Sequence, residues 1–208
     1  DRTEAGHRVG AALVDAGIGP DDRPVVLGVA RGGVPVAAAV AAECGGTLDV
    51  VVARKLGAPL NPELAIGAVA ADGEPLIDRS LVRRLGVNEA YLREEAARQQ
   101  KEVARRIAEY RGGRPAPDVE DRVTIVVDDG VATGSTLIAV LRWVRRLGPR
   151  RLICAVPVGP PDTVQRLAAE CDQVVCPLQP WAFSAVGMWY DDFAQVPDSD
   201  VVRALHAP

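Results

Sequence analysis

Histidine and cysteine are scarce. The 208 residues hold two histidines, His7 and His206, and four cysteines, Cys44, Cys154, Cys171 and Cys176, with no CxxC spacing. Neither a zinc site nor a disulfide framework is expected. Long apolar runs are missing too: stretches such as 123–127 fall far short of the roughly 20 residues that span a bilayer. No basic-then-apolar leader opens the chain, which starts at Asp1, so the expectation is a cytoplasmic protein with no membrane role. Positive charge is not in excess, with 24 Lys and Arg against 28 Asp and Glu and a formal net charge of −4. That balance gives no sequence-independent grip on a polyphosphate backbone, so no nucleic acid is expected as a partner, whereas a small anion in a local pocket is compatible. What is there is a chain 48% hydrophobic and 25% charged, the balance of a soluble globular protein. Its length suits one α/β domain and is short for two.

Short β-branched runs alternate with helical patterns, which predicts a parallel sheet covered by helices. A helix over 3–16 ends at Gly17 and Gly19-Pro20. A strand over 24–29 runs into Ala30-Arg31-Gly32-Gly33, and 34–43 is an Ala/Val helix without a polar face, as a helix buried against a sheet requires. The second core strand is 48–53. Residues 54–61, with Gly57 and Pro59 and followed by Pro62, read as loop, and 65–70 with 74–77 as a small hairpin around Asp72-Gly73. Residues 88–111 form a long helix with Leu92, Ala96, Gln99, Val103, Ile107 and Tyr110 on one stripe. Its i,i+4 pairs are Glu89 with Arg93, Glu94 with Arg98 and Glu102 with Arg106. After a Gly/Pro linker at 112–117 come strands at 122–127, 150–156 and 173–176, with helices at 135–147 and 161–170 between them. Beyond Pro177, residues Trp181, Phe183, Trp189, Tyr190 and Phe193 place five of the eight aromatics within thirteen positions. Residues 199–205 read as a terminal helix.

The chemistry-bearing stretch is Ile125-Val126-Val127-Asp128-Asp129-Gly130-Val131-Ala132-Thr133-Gly134-Ser135-Thr136. It is an apolar strand ending in two carboxylates, then a turn of small residues, then a helix start. Open α/β sheets bind ligands at the carboxyl ends of their strands. Backbone N–H groups at 133–136 would meet an anion at the helix N-terminus, with the hydroxyls of Thr133, Ser135 and Thr136 as further donors. The acid pair suits sugar hydroxyls or a hydrated Mg²⁺. The loop is not a Walker A motif, because the Lys before the final Ser/Thr is absent and the spacing is one residue short.

This segment resembles the phosphoribosyl pyrophosphate (PRPP) signature of the type I phosphoribosyltransferases. The resemblance implies a single α/β, Rossmann-like domain over residues 1–208, with a central, mostly parallel sheet flanked by helices. Within it, 57–117 would be a flexible-loop and helical insertion, and 177–208 a small C-terminal hood with its helix. Asp128 and Asp129 would hold the ribose 2′- and 3′-hydroxyls, directly or through water and Mg²⁺. Val131, Ala132, Thr133, Gly134, Ser135 and Thr136 would cradle the 5′-phosphate, with Gly130 before them also among the PRPP-binding residues. Val29-Ala30-Arg31-Gly32-Gly33 is similar to the family's pyrophosphate loop, where Gly32 and Gly33 let amides approach an anion and Arg31 offers a forked donor. Arg54-Lys55-Leu56-Gly57 is similar to the Arg-Lys segment before the catalytic loop. Arg31, Arg54 and Lys55 with Mg²⁺ would neutralise departing pyrophosphate. In many relatives this segment or the loop after it reaches a neighbouring subunit, which implies a homodimer. The opening Asp1-Arg2-Thr3-Glu4-Ala5-Gly6 and the 88–111 helix look more like a poorly characterised bacterial subgroup without a settled substrate.

The expected reaction is Mg²⁺-dependent transfer of 5-phosphoribose from PRPP to a nitrogenous base or similar small acceptor, with release of pyrophosphate. Ala132 stands where 6-oxopurine enzymes usually carry an acid, as in adenine-type relatives, whereas the V-G-x-x-x-D element at 186–191 resembles the 6-oxopurine branch. The aromatic tail falls where relatives build a hood over the base, with Trp181 and Phe183 as candidate stacking residues. The competing reading is a regulator that senses PRPP or a nucleotide without turnover; the lack of a basic block beyond Arg145-Arg146 weighs against a nucleic-acid surface. A domain working with a fused hydrolase would need a nucleophile elbow, and no G-x-S-x-G occurs in this chain.

Overall fold

A computed structural model describes residues 1–70 and 74–206. Its frame is a five-stranded parallel sheet in the order β2-β1-β6-β7-β8, formed by β1 (Val25–Val29), β2 (Thr47–Val51), β6 (Val123–Val127), β7 (Arg151–Ala155) and β8 (Gln173–Val175). β1 and β6 are buried along their whole length, which is why they read as continuous apolar runs. Alternate residues still serve opposite faces. Leu27, Val126, Leu152 and Cys154 pack with α5 (Ser135–Arg146) on one side. Val26, Ile125, Val127 and Ile153 pack on the other with α1 (Arg2–Asp15) and α2 (Gly33–Cys44). α1 lies close against α2: a Cβ on Gly6 would stand 2.6 Å from the Val36 carbonyl oxygen.

The chain leaves β1 to form β2 on one side of it, then returns to place β6 on the other. The order therefore reverses between β1 and β6, and the crevice beyond their carboxyl ends is the natural ligand site of such a sheet. Register is tight there, with Gly28 opposite Val127.

Between β2 and β6 the sequence reading needs correction. The second core strand ends at Val51, and Ala53–Ala58 is β3, which pairs antiparallel with β4 (Asn61–Ala70) rather than forming a loop. Gly57 and Pro62 are used inside the pairing: a register shift falls on either side of Gly57, whose Cβ would stand 2.6 Å from the Pro62 carbonyl oxygen. Glycine and proline here mark a bulge, which carries the same composition as a loop. β5 (Leu76–Ile77) completes this second sheet against β4; the turn expected at Asp72-Gly73 lies outside the described residues.

α3 (Arg79–Leu85) has no counterpart among the expected helices. Asp78 caps it, accepting from the Ser80 and Leu81 amides, and Gly86 ends it in the left-handed region at φ 63°, so the two flanking residues were a legible signal. α4 (Glu89–Arg111) starts at Asn88 as expected and buries Leu92, Ala96, Gln99, Val103 and Tyr110. Of its expected ion pairs, Glu102 meets Arg106 at 2.7 Å, whereas Glu89 turns to Arg79 and Arg98 to Glu95. α4 closes a third apolar cluster with Leu56 and Ile66 of the second sheet and with Val201 and Leu205 of α7 (Asp198–Leu205). α6 (Pro161–Ala168) connects β7 to β8.

Candidate functional site

The strand-end acids stand where β6 leaves the sheet. The Asp128 amide continues the ladder to the Ala155 carbonyl at 3.3 Å, and the Asp128 carboxylate accepts from the Asp129 amide at 2.9 Å. Opposite them lies the turn after β1. A Cβ on Gly32 would stand 2.0 Å from Asp129 Oδ2, and one on Gly33 would stand 2.6 Å from the Val127 carbonyl and 3.1 Å from Asp128 Oδ1. Two loops separated by almost a hundred residues thus fit only because Gly32 and Gly33 lack side chains. Burial, with the adjacent Asp129 charge, pushes Asp128 well above the usual carboxylate range. Burial also raises Asp129, against the opposing pull of Arg2.

From the acids the chain curls into the start of α5. Gly134 takes φ +75°, open to glycine without strain. The first intrahelical bond runs from the Ile138 amide to the Gly134 carbonyl at 2.8 Å. The amides before it belong to the helix end, where anions are favoured. A cavity of about 150 Å³ opens here, lined by Asp128 and residues 130–137. Its wall is braced from α6: Thr163 donates to the Ala132 carbonyl at 2.7 Å, and Arg166 to the Thr133 carbonyl at 3.1 Å.

The other candidate residues divide. Arg31, beside the acids in the β1 turn, lies 3.8 Å from the Asp198 carboxylate. Arg54 is turned to α4, donating to Gln99 Oε1 at 3.0 Å, and Lys55 is exposed on β3. Trp181 is 87% exposed, and Phe183 stacks on Trp189 with centroids 6.5 Å apart. The aromatic that meets the acids is Tyr190, whose hydroxyl donates to the Asp129 carbonyl at 2.6 Å. Val186 covers Gly130, where a Cβ would stand 2.4 Å from its Cγ1.

Two residues at the site escaped the sequence reading. Arg2 bonds Asp129 Oδ2 through Nε at 2.8 Å, across 127 residues and without any local pattern to announce it. Tyr190 stood within the aromatic cluster, but nothing in its spacing separated it from Trp181 or Phe183.

Asp128 and Asp129 fit a divalent cation of the Mg²⁺ kind. Two adjacent carboxylates whose protonation is favoured by burial, reinforced at Asp128 by the Asp129 charge, gain from a positive charge. Among the described residues no group of three or more His, Cys, Asp or Glu side chains converges on a point, and Mg²⁺ is commonly held by one or two carboxylates with water and substrate phosphates. No helix among the described residues is long and apolar enough to cross a membrane.

Comparison with known proteins identifies the family. Residues 11–192 match the family profile of the phosphoribosyl transferase domain. Two curated proteins from Mycobacterium tuberculosis strains, both named "Putative phosphoribosyl transferase", are 40% identical to the chain over 205 residues. The alignment covers 99% of this chain and 46% of each relative, so the chain spans about half their length. The crystal structure of TT1426 from Thermus thermophilus superposes with a TM-score of 0.84 at 45% identity, covering 99% of this chain and 96% of that one.

Proposed function

The chain belongs to the phosphoribosyl transferase family, and on that premise we propose that it transfers 5-phosphoribose from PRPP to a nitrogenous base or similar small acceptor, releasing pyrophosphate. The observation that supports this best is the meeting of the Arg31-Gly32-Gly33 turn with the Asp128-Asp129 pair at the point where strand order reverses.

In this reading the N-terminal end of α5, with Thr133, Ser135 and Thr136, takes the 5′-phosphate, and Asp128 and Asp129 accept from the ribose hydroxyls. The glycine amides and Arg31 meet the pyrophosphate. The acceptor nitrogen forms its bond to the anomeric carbon as the bond to pyrophosphate breaks, and the electron pair leaves on the pyrophosphate oxygen. Positive charge develops on the sugar in such displacements, so the protein's contribution is positioning and charge stabilisation, with no covalent nucleophile. Mg²⁺, held by Asp128 and Asp129 with water and substrate oxygens, would supply charge neutralisation at the donor. The same reading gives Arg54 and Lys55 to the leaving group, with Arg54 donating to Gln99 in this structure. Trp181 and Phe183 are assigned to the acceptor base. The reading extends to a homodimer, implied by the family resemblance, and to a cytoplasmic protein working in nucleotide salvage.

Calorimetric titration with PRPP, with and without Mg²⁺, tests the donor assignment: micromolar binding that Mg²⁺ tightens is expected, and no binding refutes it. A screen of bases for pyrophosphate release then tests turnover. Binding without release from any base would favour a sensor of PRPP or a nucleotide.

A further inference from the structure

Arg2, in the first turn of α1, reaches across to the acid pair and to the hood. Its Nε lies 2.8 Å from Asp129 Oδ2, with the two side chains only 12% and 14% exposed. Its Nη1 donates to the Ala194 carbonyl at 2.9 Å. Its guanidinium carbon stands 4.1 Å from the centre of the Phe193 ring and 5.9 Å from that of Tyr190. Tyr190 closes the circuit by donating to the Asp129 carbonyl. One guanidinium therefore ties together segments 127 and 192 residues away in the chain.

On its other side Asp129 Oδ2 faces Gly32, where not even a Cβ could be added. That oxygen already has its cation, so a metal ion or a sugar hydroxyl arriving there competes with Arg2 for its charge. Departure of the guanidinium also releases the Ala194 carbonyl and the Phe193 ring, since the same group holds all three.

We infer that Arg2 is a positioning residue that latches hood residues 190–194 to Asp129, and that a divalent cation or ribose hydroxyl arriving at Asp129 displaces it and frees the hood. The inference rests on the reading of the acid pair as a donor site, but not on turnover. Linkage makes the two events reciprocal: whatever cation binding does to the latch, loss of the latch does to cation binding.

Mn²⁺ alone is the probe, with free Mn²⁺ read by electron paramagnetic resonance and the hood read by hydrogen exchange of a peptide spanning 186–194. Arg2→Ala is expected to bind Mn²⁺ about tenfold more tightly than the wild type, and Asp129→Asn in that background should abolish the gain. Mn²⁺ should speed hood exchange in the wild type, whereas in Arg2→Ala exchange should be fast from the start. Arg2→Gln carries the same expectation should Arg2→Ala not fold, and Arg2→Lys, which keeps the charge without the fork, should gain less Mn²⁺ affinity than either. Unchanged or weaker Mn²⁺ affinity on loss of the guanidinium, including no binding to either protein, overturns the inference. So does hood exchange that Mn²⁺ leaves unmoved. A gain in Mn²⁺ affinity without any PRPP binding would keep the latch and remove the transferase reading; PRPP turnover without the gain would do the reverse.

Discussion

Tyr110 and Asp198 join the end of α4 to the start of α7: the buried phenol donates to one carboxylate oxygen while the other lies 3.8 Å from Arg31. A residue in the proposed pyrophosphate turn is thus oriented by a helix pair outside the main sheet. Burial, reinforced by Asp198, pushes the Tyr110 hydroxyl up to about 12.

Tyr110→Phe should therefore lower stability by about 1 kcal/mol, the usual net value of a hydrogen bond to a retained partner, measured by urea unfolding. The raised value means that the folded state favours the protonated phenol. Its contribution is complete below the ordinary tyrosine value of about 10 and is lost as pH rises from there toward 12. Wild-type stability should fall across that window, and the Tyr110→Phe profile should be flatter.

The acid pair loses stability in the same direction of pH, but over a lower window, and removing its charge has the opposite effect on the fold. Because Asp128 is raised in the folded state, the fold is most favoured with that group protonated, and stability declines as pH rises above about 4. Asp128→Asn should then raise stability at pH 7 by on the order of 1 kcal/mol while abolishing PRPP binding, the trade expected where a site holds charge out of water. Equal melting temperatures for the two proteins across pH 4–8 would refute it.

Asp129→Asn and Thr133→Val should each weaken PRPP binding about tenfold or more without unfolding the protein. Calorimetry and circular dichroism check the two halves of that statement, and unchanged PRPP affinity in both variants would remove the assignment of the loop.

Gly32→Ala tests the closeness of the two loops. The new methyl would displace the Asp129 carboxylate, at about 1–3 kcal/mol as for other overpacked sites. PRPP affinity should fall with the fold retained, and full affinity would show that the loops separate freely.

Trp181→Ala should leave stability within about 0.5 kcal/mol of the wild type, since the ring is exposed. Phe183→Ala, which breaks the stack on Trp189, should lose about 1 kcal/mol. If the pair binds the acceptor, both variants raise the acceptor KM and leave the PRPP KM alone; an unmoved acceptor KM in both discards the assignment.

Where local pattern and tertiary burial agree, the sequence was readable. Strands such as Val123–Val127 are apolar because both faces are covered, and the acids and small residues after them announce the strand-to-helix turn that follows. The β3–β4 pairing was hidden because Gly57 and Pro62 serve a bulge with the residues that ordinarily make loops. Arg2 was hidden for a different reason. Its partner is set by how α1 packs on α2 and by where the hood returns, and neither distance is written in any neighbourhood of the chain. Arg54 shows the converse, a residue assigned through its motif that the fold turns toward Gln99.

The in-register pairing of β1 with β6 bears on how the donor crevice responds to heat. Its two loops spring from adjacent strands at the centre of the sheet, each buried on both faces, and such strands open only when the whole domain does. The strands that carry Gly32 and Asp129 therefore have no melting transition of their own. Warming should leave the crevice intact up to the temperature at which the protein unfolds, and then remove it in the same step.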